Sequence, residues 1–375
     1  MMKTKVLVIG GGVSGLTTAL CLLQEGFGVT VVSENFAPNN TSIVAGALWE
    51  WPPAVCGSHR HPVSLERSKS WCMASYNKFL LLAANKETGV YSRDVVFYYK
   101  KPIEQTPELQ KMNELQLKVL QFRRDPGLID SHGINRDVGV VDAYTYLAPQ
   151  VDTDIYMQWL YSQVNELGCK IVQAKISGNL AELQEKLKSQ FNIDIIVNCS
   201  GLGSIELGND DMYPLRGALI RVKNDGVSMP YVTTAHCMTF DNTVGGQNMI
   251  FILPRGENTL LVGGLVEPHQ WGLDINLENY EPIQDMWNRC VKFMPILKNA
   301  TIDSTEPVRV GLRPARKNNI RLEQEPGTDI IHNYGHGGSG VTLSWGCAKE
   351  VVQIAKSGLS QSNLTKVLLN PVKFK

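Results

Sequence analysis

The stretch KVLVIGGGVSGLTTALCLLQEGFGVTVVSE, residues 5–34, decides the fold. A short apolar run ends at Ile9 and is followed by a glycine-rich turn, and then by apolar residues at helical spacing that stop at Gly26. A second apolar run, GVTVVSE, ends at Glu34. This order of strand, glycine turn, helix and strand predicts a βαβ unit with two parallel strands.

The glycines of this unit have the spacing of a dinucleotide-binding turn. Gly10 permits the tight turn, Gly12 lets the backbone approach a pyrophosphate, and Gly15 allows close packing of helix on strand. The helix N-terminus at Val13–Ser14 then offers N–H groups to phosphates, and Glu34 offers acceptors to a ribose. The alternative interpretation is a glycine turn that binds no ligand. The motif by itself does not distinguish an NAD-binding protein from an FAD-binding one.

Composition excludes several classes of function. The chain has 375 residues, enough for two domains, and its 36 basic residues cancel its 36 acidic ones. This balance argues against broad electrostatic binding of nucleic acid or anionic membranes. No apolar run approaches the roughly 18–20 residues of a membrane span, and the eight scattered cysteines show no metal-ligand spacing. We therefore expect a soluble cytoplasmic protein without a metal site.

Apolar, strand-like runs recur along the chain, and three further segments have helical character. We predict helices over 64–85, 107–123 and 279–296. The strand-like runs are CKIVQAKI at 169–176, NIDIIVNCSG at 192–201, GALIRV at 217–222, MIFILP at 249–254 and TLLVGG at 259–264. The pattern predicts a dinucleotide-type α/β domain from residues 1–50, 139–205 and 305–375, with a mixed sheet-and-helix domain from 51–138 and 206–304.

The segment NFAPNNTSIVAGALWEW, residues 35–51, favours FAD over a nicotinamide cofactor. Thr41 and Ser42 are small hydroxyl donors, and a large planar ligand can lie close against Ala45–Ala47. An ordinary capped loop is the alternative interpretation.

Two later segments suggest ligand contacts. In VGLRPARKNNIRLE, residues 310–323, Pro314 biases Arg313 to an extended backbone, and its guanidinium is suited to grip a carboxylate bidentately. A solvated or ion-paired arginine is the alternative, and it is the interpretation we prefer for Arg316 and Arg321. The run GHGGSG, residues 335–340, opens an apolar helix and predicts a second cradle of bare N–H groups.

Together these stretches resemble the D-amino-acid oxidase family, which includes D-aspartate oxidases. KVLVIGGGVSGLTTALCL, NFAPNNTSIVAGALW, VNCSGLGS, VGLRPARKNNIRLE and HNYGHGGSGVTLSWGCAKE fall in the family's order over nearly the whole chain, with a weak match from about 55 to 140. The resemblance implies an α/β fold: a Rossmann-like FAD-binding domain of glutathione-reductase type, with an inserted mixed-sheet substrate domain. It also implies FAD bound without a covalent link.

The resemblance assigns parts of the cofactor to positions of this sequence. The adenosine and pyrophosphate end falls on Gly10, Gly12, Val13, Ser14, Gly15, Glu34, Asn35, Thr41, Ser42 and Ile176. The flavin end falls on Gly46, Ala47, Leu48, Gly337, Gly338, Gly340, Val341 and Thr342. Ser200, Gly201 and Gly311 are further cofactor-binding positions. Arg313 matches the arginine that pairs with the substrate carboxylate.

The implied reaction is oxidative deamination of an amino acid. A hydride passes from Cα to flavin N5, dioxygen reoxidises the flavin to give hydrogen peroxide, and the imino acid hydrolyses to a 2-oxo acid and ammonia. The implied partners are an amino acid and O2, with neither nucleic acid nor membrane; a homodimer is left open.

The sequence departs from the family at several positions. Phe251 and Gln247 stand where pocket tyrosines are expected, and Ser339 replaces a bulkier residue of some members. Tyr231 or His236 would be the nearest replacements for the missing hydroxyls. Beside the flavin the family has Ala-Ala-Gly-Leu-Trp, where this chain has AGALW at 45–49. The C-terminus, NPVKFK, carries no S-K-L-type peroxisomal signal.

These departures keep two alternatives open. One is a specialised oxidase of glycine- or sarcosine-like amines or of a biosynthetic intermediate. The other is a flavin-fold binding protein without chemistry.

Overall fold

The computed structural model describes residues 3–51, 62–238 and 247–369, with side chains described up to residue 358. The NPVKFK terminus, on which part of the cytoplasmic prediction rests, lies outside these residues, as do positions 52–61 of the predicted substrate domain.

The described chain contains both strands and helices, with runs of consecutive strands from β8 to β12 and from β13 to β15. The strands are β1 Lys5–Ile9, β2 Gly28–Ser33, β3 Val90–Tyr99, β4 Arg123–Arg124, β5 Asp142–Val151, β6 Lys170–Gln173, β7 Ile195–Asn198, β8 Met212–Lys223, β9 Ala235–Met238, β10 Ile250–Arg255, β11 Thr259–Gly263, β12 Glu267–Pro268, β13 Val308–Arg316, β14 Arg321–Gln324 and β15 Ile330–Tyr334. The helices are α1 Val13–Gln24, α2 Thr41–Val44, α3 Pro62–Leu82, α4 Glu108–Leu115, α5 Leu128–Ser131, α6 Thr153–Glu166, α7 Leu180–Phe191, α8 Ser204–Leu207, α9 Glu281–Phe293 and α10 Gly340–Leu369.

A first sheet has the strand order β14-β15-β7-β1-β2-β6 and is parallel except for the edge pair β14–β15. Its central strand β1 is almost fully buried, because helices cover a parallel sheet on both faces. The predicted βαβ unit is confirmed: β1 and β2 pair in parallel with Lys5 opposite Gly28, and α1 joins them. The carboxyl ends of β1 and β7 therefore open at the same edge.

A second, larger sheet has the order β12-β8-β11-β10-β9-β3-β5-β4, with β13 also paired to β8. It is mixed, because β3 and β9 run parallel while the other pairs are antiparallel. One face packs on α9 around a core that contains Ile252 and Val96. The opposite face joins the core of the first sheet through Leu219, Cys237 and Phe97. The expected α/β fold with a second, mixed sheet is thus confirmed.

The helices that close the first sheet belong to both ends of the sequence. α1 packs against α10, and α10 packs against α3. No helix in the part of the chain that the structure describes is both long and apolar enough to cross a membrane.

Several predicted segments differ from the structure in extent. The helix predicted over 107–123 ends at Leu115, and the chain then makes turns before the short strand β4. The strands β5 and β13 fall within the segments 139–205 and 305–375 but belong to the second sheet. Both have long-range partners that local periodicity does not reveal. The domain boundaries themselves stay a prediction.

The segment Ala47–Trp49 connects the two sheets. It pairs with the end of β5: the N–H of Trp49 donates to Pro149 O at 2.9 Å, and the N–H of Val151 donates to Ala47 O at 3.0 Å. Ala47 has φ +55°, a left-handed conformation that suits glycine, and the resembled family has glycine at this position. The neighbouring Ala45 has an ordinary φ of −57°.

We expect Ala47→Gly to leave the protein more stable than Ala45→Gly by about 1–2 kcal/mol, because only the first removes a left-handed alanine. Both variants lose one methyl group and gain the same freedom in the unfolded chain, so each serves as the control for the other. Urea unfolding of the two proteins measures the difference. The account is wrong if Ala47→Gly is the less stable of the two.

Candidate active site

A cavity of about 700 Å3 runs from the carboxyl edge of the first sheet to one face of the second. Its wall contains nearly every residue that the sequence assigned to a site. Gly15 and Gln247 are the two that do not line it in the described chain. Residues from the N-terminal, central and C-terminal parts of the sequence are therefore brought together around one space.

The glycine turn after β1 forms one end of the cavity. Gly10 has φ +126°, and a Cβ there would lie 2.4 Å from Cys199 O, so glycine is required. A Cβ on Gly15 would lie 1.9 Å from Gly10 O, which gives Gly15 a packing role below the wall. No side chain caps α1 at Gly12, although the N–H of Val13 donates to Ser42 Oγ at 2.9 Å. The positive end of α1 therefore faces the cavity.

Glu34 lies at the rim of the same end, beside Asn35 and Ile176 on the cavity wall. Its carboxylate is half exposed and lies 3.4 Å from Lys175 Nζ. An exposed pair of this kind contributes little to stability, so the carboxylate oxygens stay available to hydroxyl donors.

The second glycine loop follows β15 and leads into α10. The amide of Asn333 ties it to α1, with Nδ2 donating to Thr18 Oγ1 at 3.1 Å. His336 is buried, and its Nε2 lies 3.1 Å from Asn333 Oδ1. Burial lowers the pKa of His336 to about 4, so the imidazole is neutral near pH 7. The loop thus presents Gly337–Thr342 to the cavity without a positive charge of its own.

Arg255 holds the wall segment between α2 and Trp49 in place. Its buried guanidinium donates to Ala45 O and to Thr153 Oγ1, and its nearest carboxylate, Asp152, lies 4.0 Å away. Burial lowers the pKa of this arginine to about 10. The wall of Gly46, Ala47 and Leu48 is therefore fixed from behind by a charged group that does not itself line the cavity.

Arg313 projects from β13 into the cavity wall. Its Nη1 donates to Arg216 O at 3.4 Å and to Leu265 O at 3.3 Å, and no carboxylate of the described residues pairs with it. Burial lowers the pKa of the guanidinium to about 10. The guanidinium occupies the space over Gly217, where a Cβ would lie 2.2 Å from Nη1. A buried cation that pairs with no carboxylate of the described residues is suited to bind an anion.

Arg316 and Arg321 have the structural roles that the sequence favoured. Both contact Asp210, at 2.8 Å and 3.6 Å.

Phe251 and Gln247, at the positions of the expected tyrosines, have different roles. Phe251 lines the cavity from β10. Gln247 instead pairs with the backbone of Val266, donating from Nε2 at 2.6 Å and accepting at Oε1 at 3.0 Å. The amide of Gln247 joins two chain segments, and the residue does not line the cavity in the described chain. Its position therefore does not support the prediction that it contacts the substrate.

Neither proposed replacement for the missing hydroxyls reaches the cavity wall that the described residues form. Tyr231 is largely exposed, and its hydroxyl donates to Glu257 O at 2.5 Å. His236 is buried with Nδ1 2.9 Å from the hydroxyl of Tyr98. It pairs with Ile252, so it lies on the face of the second sheet that points away from Phe251.

Several wall residues were not singled out by the sequence. Five examples are Glu50, Gly217, Leu219, Met249 and Gly264. Glu50 directly follows the quoted AGALW and is buried, which makes an acidic residue there notable. The other four carry no local signal, because their place on the wall depends on strand pairing.

Comparison with known proteins agrees with this arrangement. The family model described as "DAO: FAD dependent oxidoreductase" matches residues 5–354. The chain is 32% identical to a D-amino-acid oxidase of Rubrobacter xylanophilus, over 95% of this chain and 97% of that protein. It is also 32% identical to a D-amino-acid oxidase of Dictyostelium discoideum, over 95% and 93% of the two chains.

Comparison with solved structures shows that the fold is shared with more distant proteins. A glycine oxidase from Geobacillus kaustophilus superposes with a TM-score of 0.75 at 15% identity, covering 95% of each chain. The match over almost the entire sequence places the chain in the DAO family of FAD-dependent oxidoreductases.

Proposed function

We propose that this protein is an FAD-dependent amino-acid oxidase of the D-amino-acid oxidase type, and that Arg313 holds the substrate carboxylate. The observation that carries the proposal is the guanidinium of Arg313, which pairs with no carboxylate of the described residues and lies on the wall of a cavity whose other end is suited to a dinucleotide. The full-length relatives at 32% identity support the same chemistry.

The residues of the cavity fit FAD. The turn at Gly10–Gly12 and the uncapped start of α1 suit a pyrophosphate, and Glu34 suits a ribose. The second glycine loop and the wall at Gly46–Leu48 leave room for a planar ring system between them. When bound there, FAD supplies the hydride acceptor and the reaction with dioxygen.

The chain's own contribution is orientation and exclusion of water. Arg313 would bind the α-carboxylate through two parallel N–H···O bonds, which fixes the direction of the Cα–H bond. Leu219 and Phe251 line the same region with apolar surface, so water is displaced as substrate enters.

A glycine- or sarcosine-like amine oxidase has weaker support. The glycine oxidase structures are only 15–18% identical to this chain, which establishes the fold alone. A binding protein without chemistry also has weaker support, because the relatives at 32% identity are named as D-amino-acid oxidases. The cytoplasmic location, the homodimer and the domain boundaries stay predictions of the sequence.

An anaerobic screen tests the proposed reaction directly. The yellow holoenzyme is mixed without oxygen with a panel of D-, L- and N-methyl amino acids, and flavin absorbance is followed. We expect rapid bleaching by one or more amino acids and peroxide formation on admission of oxygen. Bleaching by glycine and sarcosine alone would favour the amine oxidase, and a flavin that no member reduces would exclude both.

Substitution of Arg313 tests the carboxylate contact. Arg313→Gln removes the charge, so we expect kcat/KM to fall by roughly 100- to 1,000-fold, mainly through KM. Arg313→Lys keeps the charge but loses the planar fork, so its loss is expected to be intermediate. Steady-state kinetics measure both, and flavin content per chain serves as the control for cofactor binding. Equal activity of all three proteins would contradict the assignment.

Gly217→Ala tests the same contact without changing the arginine. The added Cβ would occupy the space of the guanidinium, 2.2–2.4 Å from three of its atoms, and so displace it. We expect KM to rise at least about 10-fold in the native background and to change little in the Arg313→Gln background, because the two residues act through one interaction. Additive effects in the double variant would show that Gly217 acts elsewhere.

A further inference from the structure

The cavity holds a second buried charge, at a distance from Arg313. Glu50 lines the wall, and its side chain is 10% exposed. Its Oε1 lies 3.2 Å from Lys111 Nζ, and the same ammonium lies 3.5 Å from Glu108 Oε2. These three residues are called the Glu50 cluster below.

The Glu50 cluster contains two carboxylates and one ammonium, so it carries one uncompensated negative charge. Lys111 is nearly as buried as Glu50 and does not itself line the cavity, while Glu50 does. Burial raises the pKa of the Glu50 carboxyl even though Lys111 acts to lower it. The single ammonium therefore does not offset the cost of burying Glu50, and a second cation on the cavity side would.

Strand pairing places the two charges beside different strands of the second sheet. The guanidinium of Arg313 lies over Gly217 on β8, whereas Lys111 Nζ, which pairs with Glu50, lies 5.5 Å from the ring centroid of Phe97 on β3. The strands β11, β10 and β9 lie between β8 and β3. Glu50 and Arg313 therefore line the cavity at separate positions along the sheet.

Part of the sheet between the two charges presents apolar side chains to the cavity. Leu219 pairs with Gly263, Gly263 with Phe251, and Phe251 with Cys237, which in turn pairs with Phe97. Paired residues project to the same face of a sheet. Of this row, Leu219 and Phe251 line the cavity, whereas Cys237 and Phe97 are buried in the core. An aliphatic stem would lie against Leu219 and Phe251.

We propose that Glu50 selects substrates with a cationic side chain, so that the enzyme acts on basic amino acids such as lysine, ornithine or arginine. This inference rests on the proposed oxidase function and on Arg313 as the carboxylate site. The carboxylate of Glu50 accepts hydrogen bonds from the distal ammonium or guanidinium. An acidic side chain would meet a like charge there, and a neutral side chain would add no cation to the one, Lys111, that Glu50 already shares with Glu108.

A pair of ligands that cannot be oxidised isolates this contact. 6-Aminohexanoate and hexanoate share a carboxylate and a five-carbon stem, lack an α-amine, and differ only in the distal ammonium. Their Kd values for the holoenzyme are measured by flavin absorbance and by the shift in Tm. We expect 6-aminohexanoate to bind roughly 10- to 100-fold more tightly. Equal or weaker binding by the native enzyme overturns the inference without any variant.

Two matched variants locate the effect. Glu50→Gln and Glu108→Gln each remove one negative charge from the Glu50 cluster, but only Glu50 lines the cavity. We expect the ratio of the two Kd values to fall to about threefold or less in Glu50→Gln and to stay within about threefold of the native ratio in Glu108→Gln. An unchanged ratio in Glu50→Gln, or an equal loss in both variants, overturns the assignment to Glu50.

Turnover distinguishes failure of this inference from failure of the oxidase proposal. Lysine, ornithine and arginine are compared with norleucine and glutamate, as both enantiomers. If norleucine reduces the flavin as fast as lysine does, the proposed oxidase function is supported and the proposed preference for cationic side chains is wrong. If no amino acid reduces it, both fall.

Discussion

The pairing of Ala47–Trp49 with the end of β5 is the constraint on which the cavity depends. These few backbone hydrogen bonds fix the loop after α2 to the second sheet, while the turn at Gly10 and the α1 N-terminus belong to the first. Arg255 reinforces the loop from behind by binding its carbonyls. The distance between a dinucleotide end and a substrate end is thereby set by backbone contacts, which tolerate changes of side chain on the wall.

Electrostatics then distinguish the two ends of the cavity. The dinucleotide end relies on helix and loop N–H groups, and His336 beside it is neutral near pH 7 because burial lowers its pKa to about 4. The substrate end carries full charges: the Arg313 guanidinium without an acid among the described residues, and the buried Glu50 with one shared ammonium. Both are costly to bury alone, and a ligand that carries the opposite charges offsets that cost.

Phe251 and Gln247 stand where the resembled family led us to expect tyrosines, and neither residue brings a charge or a hydroxyl group to the cavity. A phenyl ring in place of a phenol removes a hydrogen-bond partner of the carboxylate but extends the apolar surface along the second sheet. Gln247 instead holds Val266 with both ends of its amide, so it stabilises the chain beside the cavity. In the proposed function, carboxylate recognition therefore rests on Arg313.

Local sequence accounts for the βαβ unit, the tight turn at Gly10, the close packing at Gly15 and the second glycine loop, because each depends on neighbours within a few residues or on a turn that only glycine can make. The role of Arg313 came from the resemblance and stays a prediction. The sequence did not reveal that Gly217 makes room for the arginine, that β5 and β13 join the second sheet, or that Glu50 is buried beside Lys111. Those facts follow from strand register and from contacts between residues 61 to 104 positions apart in the chain. They become visible only in the folded protein, because no local pattern specifies which strands become neighbours.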